Sequence, residues 1–233
     1  MLQKIIVTGG DGRFAKELKK LKTKYKLIFR NREQLNILSL KSIKNNLKQF
    51  KPKYVFHLAG LSRPMSMHEK NISKSIDLNI IGTSNLVKAC SERNIKIIHL
   101  SSNYVYPGKK GNYTEEDPLK PWNNYGWSKL GAESAVQMYK NSLIVRACMT
   151  EKPFIHKSAF SNVKTNFIFH DEFAKLFVKL IKMRGVINLG GKSQTVYQFA
   201  ILNNKNIKKI KSKGQLPLRM DMNLKKYKRF IRK

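Results

Sequence analysis

Acidic residues are scarce in this chain of 233 residues, which carries 14 Asp and Glu against 47 Lys and Arg and so has a formal net charge of +33. Such a chain attracts polyanions, so both an enzyme with anionic ligands and a nucleic-acid-binding protein have to be considered. Only 10 of the basic residues are arginine, the side chain whose fork suits base and phosphate readout. No RNA-recognition motif or zinc knuckle is present, so we expect no specific nucleic-acid partner.

Cysteine and long apolar runs are scarce as well. The two cysteines, Cys90 and Cys148, stand in no CxxC or Cys/His spacing, which excludes a disulfide framework and a zinc motif. No apolar run is long enough to cross a bilayer. The first residues, MLQKIIVTGG, read as a strand and not as a signal peptide. We therefore expect a cytoplasmic protein with no membrane partner and no metal site.

What the sequence does contain is a regular alternation of short apolar runs and segments with helical periodicity. Strands are predicted at residues 2–7, 27–29, 54–58, 95–100, 143–145 and 186–189. Helices are predicted at residues 12–21, 40–50, 72–90, 122–139, 173–181 and 196–202. This alternation predicts βαβ units with right-handed crossovers, and hence an α/β, Rossmann-like, doubly wound parallel sheet.

A glycine-rich turn follows the first predicted strand and precedes the first predicted helix. Its sequence, TGGDGRFA at residues 8–15, has the TGxxGxxA spacing. Gly9 permits the tight turn, Gly12 lets a diphosphate approach the backbone, and Ala15 allows the helix to pack closely on the strand. The helix N-terminus offers N–H donors to phosphate oxygens. The motif in this context predicts a dinucleotide site.

The end of the second strand bears on the choice between NAD and NADP. An acid at this position binds the ribose 2′-hydroxyl of NAD, whereas an arginine accommodates the 2′-phosphate of NADP. The segment reads Phe29-Arg30-Asn31-Arg32, with no acid before Glu33. We therefore expect NADP(H) to be preferred over NAD(H), with Arg30 or Arg32 on the 2′-phosphate.

A serine, a tyrosine and a lysine form a candidate catalytic set. Ser102 ends the fourth predicted strand, and Tyr125 and Lys129 stand four residues apart on the following helix, so they share one helix face. A tyrosine with an ordinary pKa near 10 transfers protons poorly at neutral pH, and we expect the Lys129 ammonium to lower that pKa. Tyr125 can then exchange a proton with a carbonyl oxygen that Ser102 also contacts.

Five ordered motifs carry a family resemblance. They are TGGDGRFA at 8–15, FHLAG at 56–60, NIIGTSNL at 79–86, SSNYVY at 101–106 and YGWSK at 125–129. Together they resemble the extended short-chain dehydrogenase/reductase family. The run from SSNYVY to SKLGAE is most similar to the dTDP-4-dehydrorhamnose reductases and related sugar-nucleotide reductases, and the similarity is strong only to about residue 146.

The resemblance implies a role for individual residues. It implies that Ser102, Tyr125 and Lys129 are catalytic and that Ser102, Asn103 and Tyr104 approach the substrate. The cofactor-binding residues it implies, together with the arginines above, are Gly9, Gly12, Arg13, Phe14, Arg30, Arg32, Asn36, Ile37, Ala59, Gly60, Tyr125 and Lys129. Asn103 departs from the family pattern, which usually has Asp at this position. This departure leaves the preferred substrate open.

The resemblance also implies the domains and the activity. Residues 1–150 would form an NAD(P)-binding Rossmann domain, and residues 151–233 a reduced substrate-binding portion that completes the same compact unit. The expected reaction is NADP(H)-dependent reduction of the 4-keto group of a nucleotide-linked 6-deoxy sugar, carried out by a cytoplasmic protein that forms a homodimer. The alternatives are a sugar-nucleotide epimerase of the same family and a non-catalytic NAD(P)-binding regulatory protein.

Overall fold

The computed structural model describes residues 2–231. The strands are β1 Lys4–Thr8, β2 Lys26–Arg30, β3 Tyr54–His57, β4 Lys96–Ser102, β5 Ser142–Ala147, β6 Met149–Thr150, β7 Ser158–Phe160, β8 Lys164–Thr165, β9 Ile168–Phe169, β10 Gly185–Leu189, β11 Gln194–Thr195 and β12 Lys208–Ile210. The α-helices are α1 Arg13–Lys19, α2 Leu40–Phe50, α3 Ser66–Lys70, α4 Ile72–Ser75, α5 Gly82–Ser91, α6 Asn124–Gln137, α7 His170–Phe177, α8 Val196–Ile201 and α9 Lys225–Ile231.

The central sheet is parallel throughout and has the strand order β10-β5-β4-β3-β1-β2. The chain starts at β1, adds β2 on one side and then crosses to β3 on the other side of β1. This reversal is the topological switch point of a doubly wound sheet, and ligands bind at the carboxyl ends of the strands beside it. The structure therefore confirms the predicted fold class.

Each face of the sheet is covered by helices because alternate strand residues point to opposite faces. Ile5 and Val7 of β1 pack in the cluster that includes α1 and α7, whereas Ile6 between them packs in the cluster that includes α2, α5 and α6. Ile5, Ile6 and Val7 are all fully buried. This two-sided burial explains why the strands read as continuous apolar runs.

The predicted helix at residues 72–90 is interrupted. Between α4 and α5 the chain makes a π-helical turn, Ile76–Ile81, in which the backbone accommodates an extra residue. Such turns are frequent at functional sites because they redirect one side chain. Here the turn includes Asn79, which is buried and bonds to the loop after β3.

The chain after residue 150 is divided between the sheet and a small cap. Helix α7 packs on α1, and β10 forms an edge of the central sheet. The cap consists of β7 paired with β12, β8 paired with β11, α8 and the loops that adjoin these elements. Its own core is rich in aromatic residues and includes Phe154, Phe169 and Phe199.

Membrane-spanning helices and clusters of metal-ligating side chains were considered for residues 2–231 only because these are the residues that the structure describes. Their helices include none that is both long and apolar enough to cross a membrane. Within the same range, no group of three or more His, Cys, Asp and Glu side chains is arranged to hold a metal ion.

Candidate active site

A cleft of about 940 Å³ opens at the carboxyl ends of β1, β3, β4 and β5, with the cap on its far side. The predicted site residues that line it are Gly9, Gly12, Arg13, Phe14, Arg32, Asn36, Ile37, Ala59, Gly60, Ser102, Asn103, Tyr104, Tyr125 and Lys129. Residues that are far apart in the sequence thus meet at one cavity, as expected when parallel strands end at the same edge of a sheet.

The glycine loop is held close to the loop after β3. Gly9 has φ +67°, and a Cβ atom there would lie 2.9 Å from the backbone of Ala59, so a larger residue does not fit. The Gly12 N–H donates to the Gly9 carbonyl at 2.9 Å, and Gly12 precedes α1 without any side-chain cap. The first N–H groups of α1 are therefore left without a side-chain acceptor at the rim of the cleft.

The two arginines at the end of β2 lie in different places. Arg32 is exposed and lines the cleft. Arg30 is turned onto α2, where its Nε donates to Asn46 Oδ1 at 2.9 Å and its guanidinium lies 4.9 Å from the centre of the Phe50 ring. Of the two candidates for the 2′-phosphate, the structure therefore brings only Arg32 to the cavity.

Helix α6 positions the tyrosine and the lysine. Asn123 caps the helix by accepting from the Gly126 N–H at 2.9 Å. Gly126 allows the first turn to approach Tyr104 closely, because a Cβ atom there would collide with the Tyr104 carbonyl oxygen. Tyr125 is consequently held beside Ser102 and lies edge-on to the Tyr104 ring, with 5.5 Å between the ring centres.

The pKa of Tyr125 differs from the expectation drawn from the sequence. Burial raises this pKa above its usual value, and the groups that partly offset the rise are the Ser102 hydroxyl and the Arg63 guanidinium. The Lys129 ammonium instead donates to the Leu100 carbonyl at 2.7 Å. The phenol is therefore protonated at neutral pH, which suits a proton donor rather than a base.

The charge of Lys129 acts on two buried histidines of the sheet, His57 and His99. Burial lowers the pKa of Lys129 to about 8, with Glu133 one turn later on α6 acting in the opposite direction. Burial, reinforced by the Lys129 charge, lowers the pKa of His57 to about 3 and that of His99 well below its usual value. The two imidazoles are therefore neutral at pH 7, and the positive charge in this part of the cleft belongs to Lys129.

Asn103 connects the end of β4 to the cap. Its amide donates to Thr165 Oγ1 and to the Met220 carbonyl, both at 3.3 Å. A carboxylate at this position could donate to neither oxygen, which is a physical reason for asparagine where the family pattern has Asp. Thr165 in turn lies 2.9 Å from the Cys148 sulfur, so a chain of polar groups runs from the predicted site into the cap.

Asn79 holds the loop after β3 against α6. Its Oδ1 accepts from the Leu61 N–H at 2.7 Å, while its Nδ2 donates to the Leu61 carbonyl at 3.0 Å and to Ser128 Oγ at 2.8 Å. Ser128 precedes Lys129, so the π-helical turn fixes the predicted cofactor loop relative to the predicted catalytic helix. The sequence contains Asn79 in a recognised motif, but no pattern in it indicates the π-helical turn.

The structure adds residues that sequence reasoning missed. Arg63, Glu151 and His170 line the same cleft as the catalytic candidates. The cap contributes a largely aromatic wall that includes Phe154, His156, Phe160 and Phe167. Arg63 stands shortly after the carboxyl end of β3, a position that parallel-sheet topology could have indicated. Glu151, Phe154, His156 and Phe160 come from segments with no motif.

The sequence matches a described family and several named proteins over parts of its length. The sequence profile of the family described as RmlD substrate binding domain matches residues 3–150. The chain is 35% identical to "Methionine adenosyltransferase 2 subunit beta" of Rattus norvegicus over 104 residues, 45% of this chain and 31% of that protein. It is 25% identical to "dTDP-4-dehydrorhamnose reductase" of Aggregatibacter actinomycetemcomitans over 193 residues, 81% of this chain and 60% of that protein. The matches thus span less than two thirds of these relatives' lengths.

A solved structure shows the same fold over nearly the whole chain. The dTDP-4-dehydrorhamnose reductase of Bacillus anthracis str. Ames, determined in complex with NADP, superposes with a TM-score of 0.88 and 20% identity, over 98% of this chain and 92% of that one. The resemblance to extended short-chain dehydrogenases/reductases is confirmed. Because the family profile covers well over half of the chain, the protein belongs to the RmlD substrate binding domain family.

Proposed function

We propose that this protein is an NADP(H)-dependent reductase that acts on the 4-keto group of a nucleotide-linked 6-deoxy sugar. The observation that carries the proposal is the convergence of Ser102, Tyr125 and Lys129 at the cleft that also contains the glycine loop. A relative in sequence and a solved neighbour with the same fold bear the name dTDP-4-dehydrorhamnose reductase.

The residues present fit a nicotinamide dinucleotide. Gly9 and Gly12 leave the backbone open to a diphosphate, and the uncapped first turn of α1 offers N–H donors to it. Asn36 and Ile37 would lie beside the adenine, Ala59 and Gly60 nearer the nicotinamide, and Arg32 supplies a cation for a 2′-phosphate. Bound in this way, the dihydronicotinamide would supply a hydride to the sugar ketone.

Side chains of this protein would supply the proton that the ketone oxygen needs. Tyr125, protonated at neutral pH, would donate its phenolic proton to the ketone oxygen, and Ser102 would hydrogen-bond the same oxygen. The Ser102 hydroxyl and the Arg63 charge would then stabilise the phenolate that remains. Lys129, with a pKa of about 8, is mostly charged at pH 7 and would hold the ribose hydroxyls next to the nicotinamide.

The cap would hold the nucleotide sugar. Its wall presents Phe154, Phe160 and Phe167 to the cleft, and aromatic faces suit a nucleoside base or the apolar face of a sugar. This supports a substrate-binding role for the part of residues 151–233 that forms the cap, with Asn103 and Tyr104 at its boundary with the sheet. Helix α7 and strand β10, from the same range, belong to the sheet. The family resemblance further leads us to expect a cytoplasmic homodimer, which a measurement of mass in solution would test.

The test is NADPH oxidation with a panel of nucleotide-linked 4-keto-6-deoxy sugars. We expect turnover with at least one sugar and a fall of about a hundredfold to ten-thousandfold in kcat for Tyr125→Phe, because the proton donor is lost. Tyr139→Phe is the matched control, since this half-buried phenol, which follows the end of α6, donates to the Ile95 carbonyl, outside the cleft.

The outcomes separate the candidate functions. Turnover that Tyr125→Phe does not reduce would contradict the mechanism. NADPH binding without turnover on any sugar would contradict the reductase and favour a dinucleotide-binding partner protein. The second candidate rests on the 35% identity to a protein named as the beta subunit of a methionine adenosyltransferase.

A further inference from the structure

Arg63 is a cleft residue to which no motif assigns a role. It stands in the loop between β3 and α3, and its charge reaches the phenols of both Tyr125 and Tyr104, where it favours the ionised forms. The side chain is partly exposed, at 35%. An arginine in this position is available to a ligand that enters between the sheet and the cap.

Arg63 and Arg13 converge on one carboxylate. Nη1 of Arg63 donates to both oxygens of Glu151, at 2.8 and 3.0 Å, and Nη1 of Arg13 lies 2.9 Å from Oε1 of the same group. Arg13 comes from the glycine loop, Arg63 from the loop after β3, and Glu151 from the segment that enters the cap. Oε1 of Glu151 thus contacts two guanidinium groups that come from separate loops.

The Glu151 carboxylate stands among charged residues of the cleft that are mostly basic. The charged residues of the described chain that line the cleft are Arg13, Arg32, Arg63 and Lys129, against Asp11 and Glu151. Asp11 lies 3.6 Å from Lys19 on the surface of α1. Glu151 is therefore the carboxylate that neutralises the arginines inside a cleft that is otherwise cationic.

Carboxylate and phosphate oxygens bind guanidinium groups with the same forked geometry. Burial raises the pKa of Glu151, but a backbone hydrogen bond and the charges of Arg63 and Arg13 outweigh it and hold the pKa below its usual value, so the group is an anion at neutral pH. His170 also faces it and is neutral at pH 7, because burial lowers its pKa. Oε1 of Glu151 therefore marks a position where an anionic oxygen is bound by two arginines.

We propose that Arg63 and Arg13 form a binding site for a phosphate group of a nucleotide, and that Glu151 holds this position in the free protein and is displaced when the nucleotide binds. The proposal rests on the proposed function, which brings two nucleotides into the cleft, the dinucleotide and the nucleotide sugar. Arg63 is then a specificity-determining residue, and Glu151 sets how tightly any nucleotide can bind.

Calorimetric titration of the full chain with NADPH, and separately with dTDP, tests the site at fixed ionic strength. Arg63→Met is expected to weaken binding of the responding nucleotide about tenfold, the usual scale for a lost charge-assisted hydrogen bond. Glu151→Gln keeps the size of the side chain and removes its charge, and it is expected to tighten binding severalfold. The gain from Glu151→Gln is expected to be smaller in the presence of Arg63→Met, because the two residues act on each other.

Matched variants control for the net charge of the protein. Arg93→Met and Glu172→Gln make the same chemical changes at exposed positions outside the cleft. They are expected to leave both affinities unchanged. The nucleotide whose affinity responds to Arg63→Met identifies the source of the phosphate.

Three results would overturn the proposal. These are unchanged affinities for both nucleotides in Arg63→Met, weaker binding in Glu151→Gln, and effects matched by the control variants. The readout is independent of catalysis. The predicted affinity pattern without ketone turnover would keep the phosphate site and contradict the reductase, whereas turnover with unchanged affinities would do the reverse.

Discussion

The two walls of the cleft are built in different ways. The wall from the sheet consists of residues that directly end or follow a strand, such as Gly9 after β1, Ala59 after β3 and Ser102 at the end of β4. The wall from the cap is assembled from strands of two or three residues whose partners are distant in the chain, such as β7 with β12 and β8 with β11. Local motifs therefore describe the first wall, and long-range pairing creates the second.

The largest effect on stability is expected at the ion pair that fastens β5 to α6 beneath the sheet wall. Arg146 and Glu133 are 3% and 0% exposed, with Nη2 and Oε2 2.9 Å apart, and Arg146 also donates to the Tyr106 hydroxyl at 2.9 Å. Arg146→Met leaves the Glu133 carboxylate buried without its partner, and we expect the free energy of unfolding to fall by about 3–5 kcal/mol.

Urea denaturation would measure that loss. The control is Lys44→Met, which breaks the ion pair of Lys44 with Glu92, whose side chains are 42% and 47% exposed. We expect a barely measurable change there, because solvent already screens the two charges. Equal losses in the two variants would show that the buried pair does not stabilise the sheet wall.

A pair of phenylalanines tests whether the two walls bind different ligands. Phe173 lies under the glycine loop, 5.2 Å from the Phe14 ring, whereas Phe199 supports the cap wall, 5.7 Å from Phe167. Truncation of either to alanine is expected to cost about 3–5 kcal/mol of stability, because each leaves a cavity.

Binding should separate these two variants. We expect Phe199→Ala to weaken binding of dTDP and spare NADPH, and Phe173→Ala to do the opposite, as measured by calorimetry below the unfolding temperature of each variant. Parallel losses of both ligands in both variants would contradict the division of the cleft into a sheet wall and a cap wall that bind different ligands.

The same contrast explains how much the sequence could predict. The glycine loop, Ser102 and the Tyr125–Lys129 pair are visible in the sequence because each depends on neighbours within a few residues. The parallel sheet pairs strands that are distant in the chain, but the alternation of apolar runs with helical segments indicates it. The positions of Arg30 and Glu151 are not, because each depends on a partner that only the folded chain brings near: Asn46 on α2 for Arg30, and Arg13 and Arg63 for Glu151. For the same reason no pattern in the sequence indicates that the Leu100 carbonyl accepts a hydrogen bond from Lys129.

The two buried histidines of the sheet, His57 and His99, should make the stability of the protein depend on pH. His57 has a pKa of about 3 in the folded protein against 6.5 as its ordinary value, and His99 shifts in the same direction. Between these values the unfolded chain binds protons that the folded chain does not. Stability should therefore fall as the pH falls from about 7 to 5, by up to about 1.4 kcal/mol per pH unit for each histidine.

Thermal unfolding across this pH range would measure the slope. His99→Leu removes one of the two groups and should make the slope shallower, and it also removes two ring nitrogens that are buried without a hydrogen-bond partner. His156→Leu, at an exposed position in the cap, should leave the slope unchanged. A slope that His99→Leu does not alter would assign the pH dependence to other groups.

The smallest effect is expected at the rim, where the sheet wall would discriminate NADP from NAD. Arg32 lines the cleft, whereas the guanidinium of Arg30 is held by Asn46 and Phe50. Arg32→Met should therefore raise the Kd for NADPH about tenfold and leave that for NADH unchanged, because only NADPH carries the 2′-phosphate. Arg30→Met removes the same charge two residues earlier in the chain, at a side chain that is held away from the cleft. It should change the two Kd values equally. If Arg30→Met were the variant that affected NADPH alone, the Arg30 side chain would have to leave α2 when the dinucleotide binds. Ligand binding at the sheet wall would then require a side chain to move, as the proposed displacement of Glu151 does.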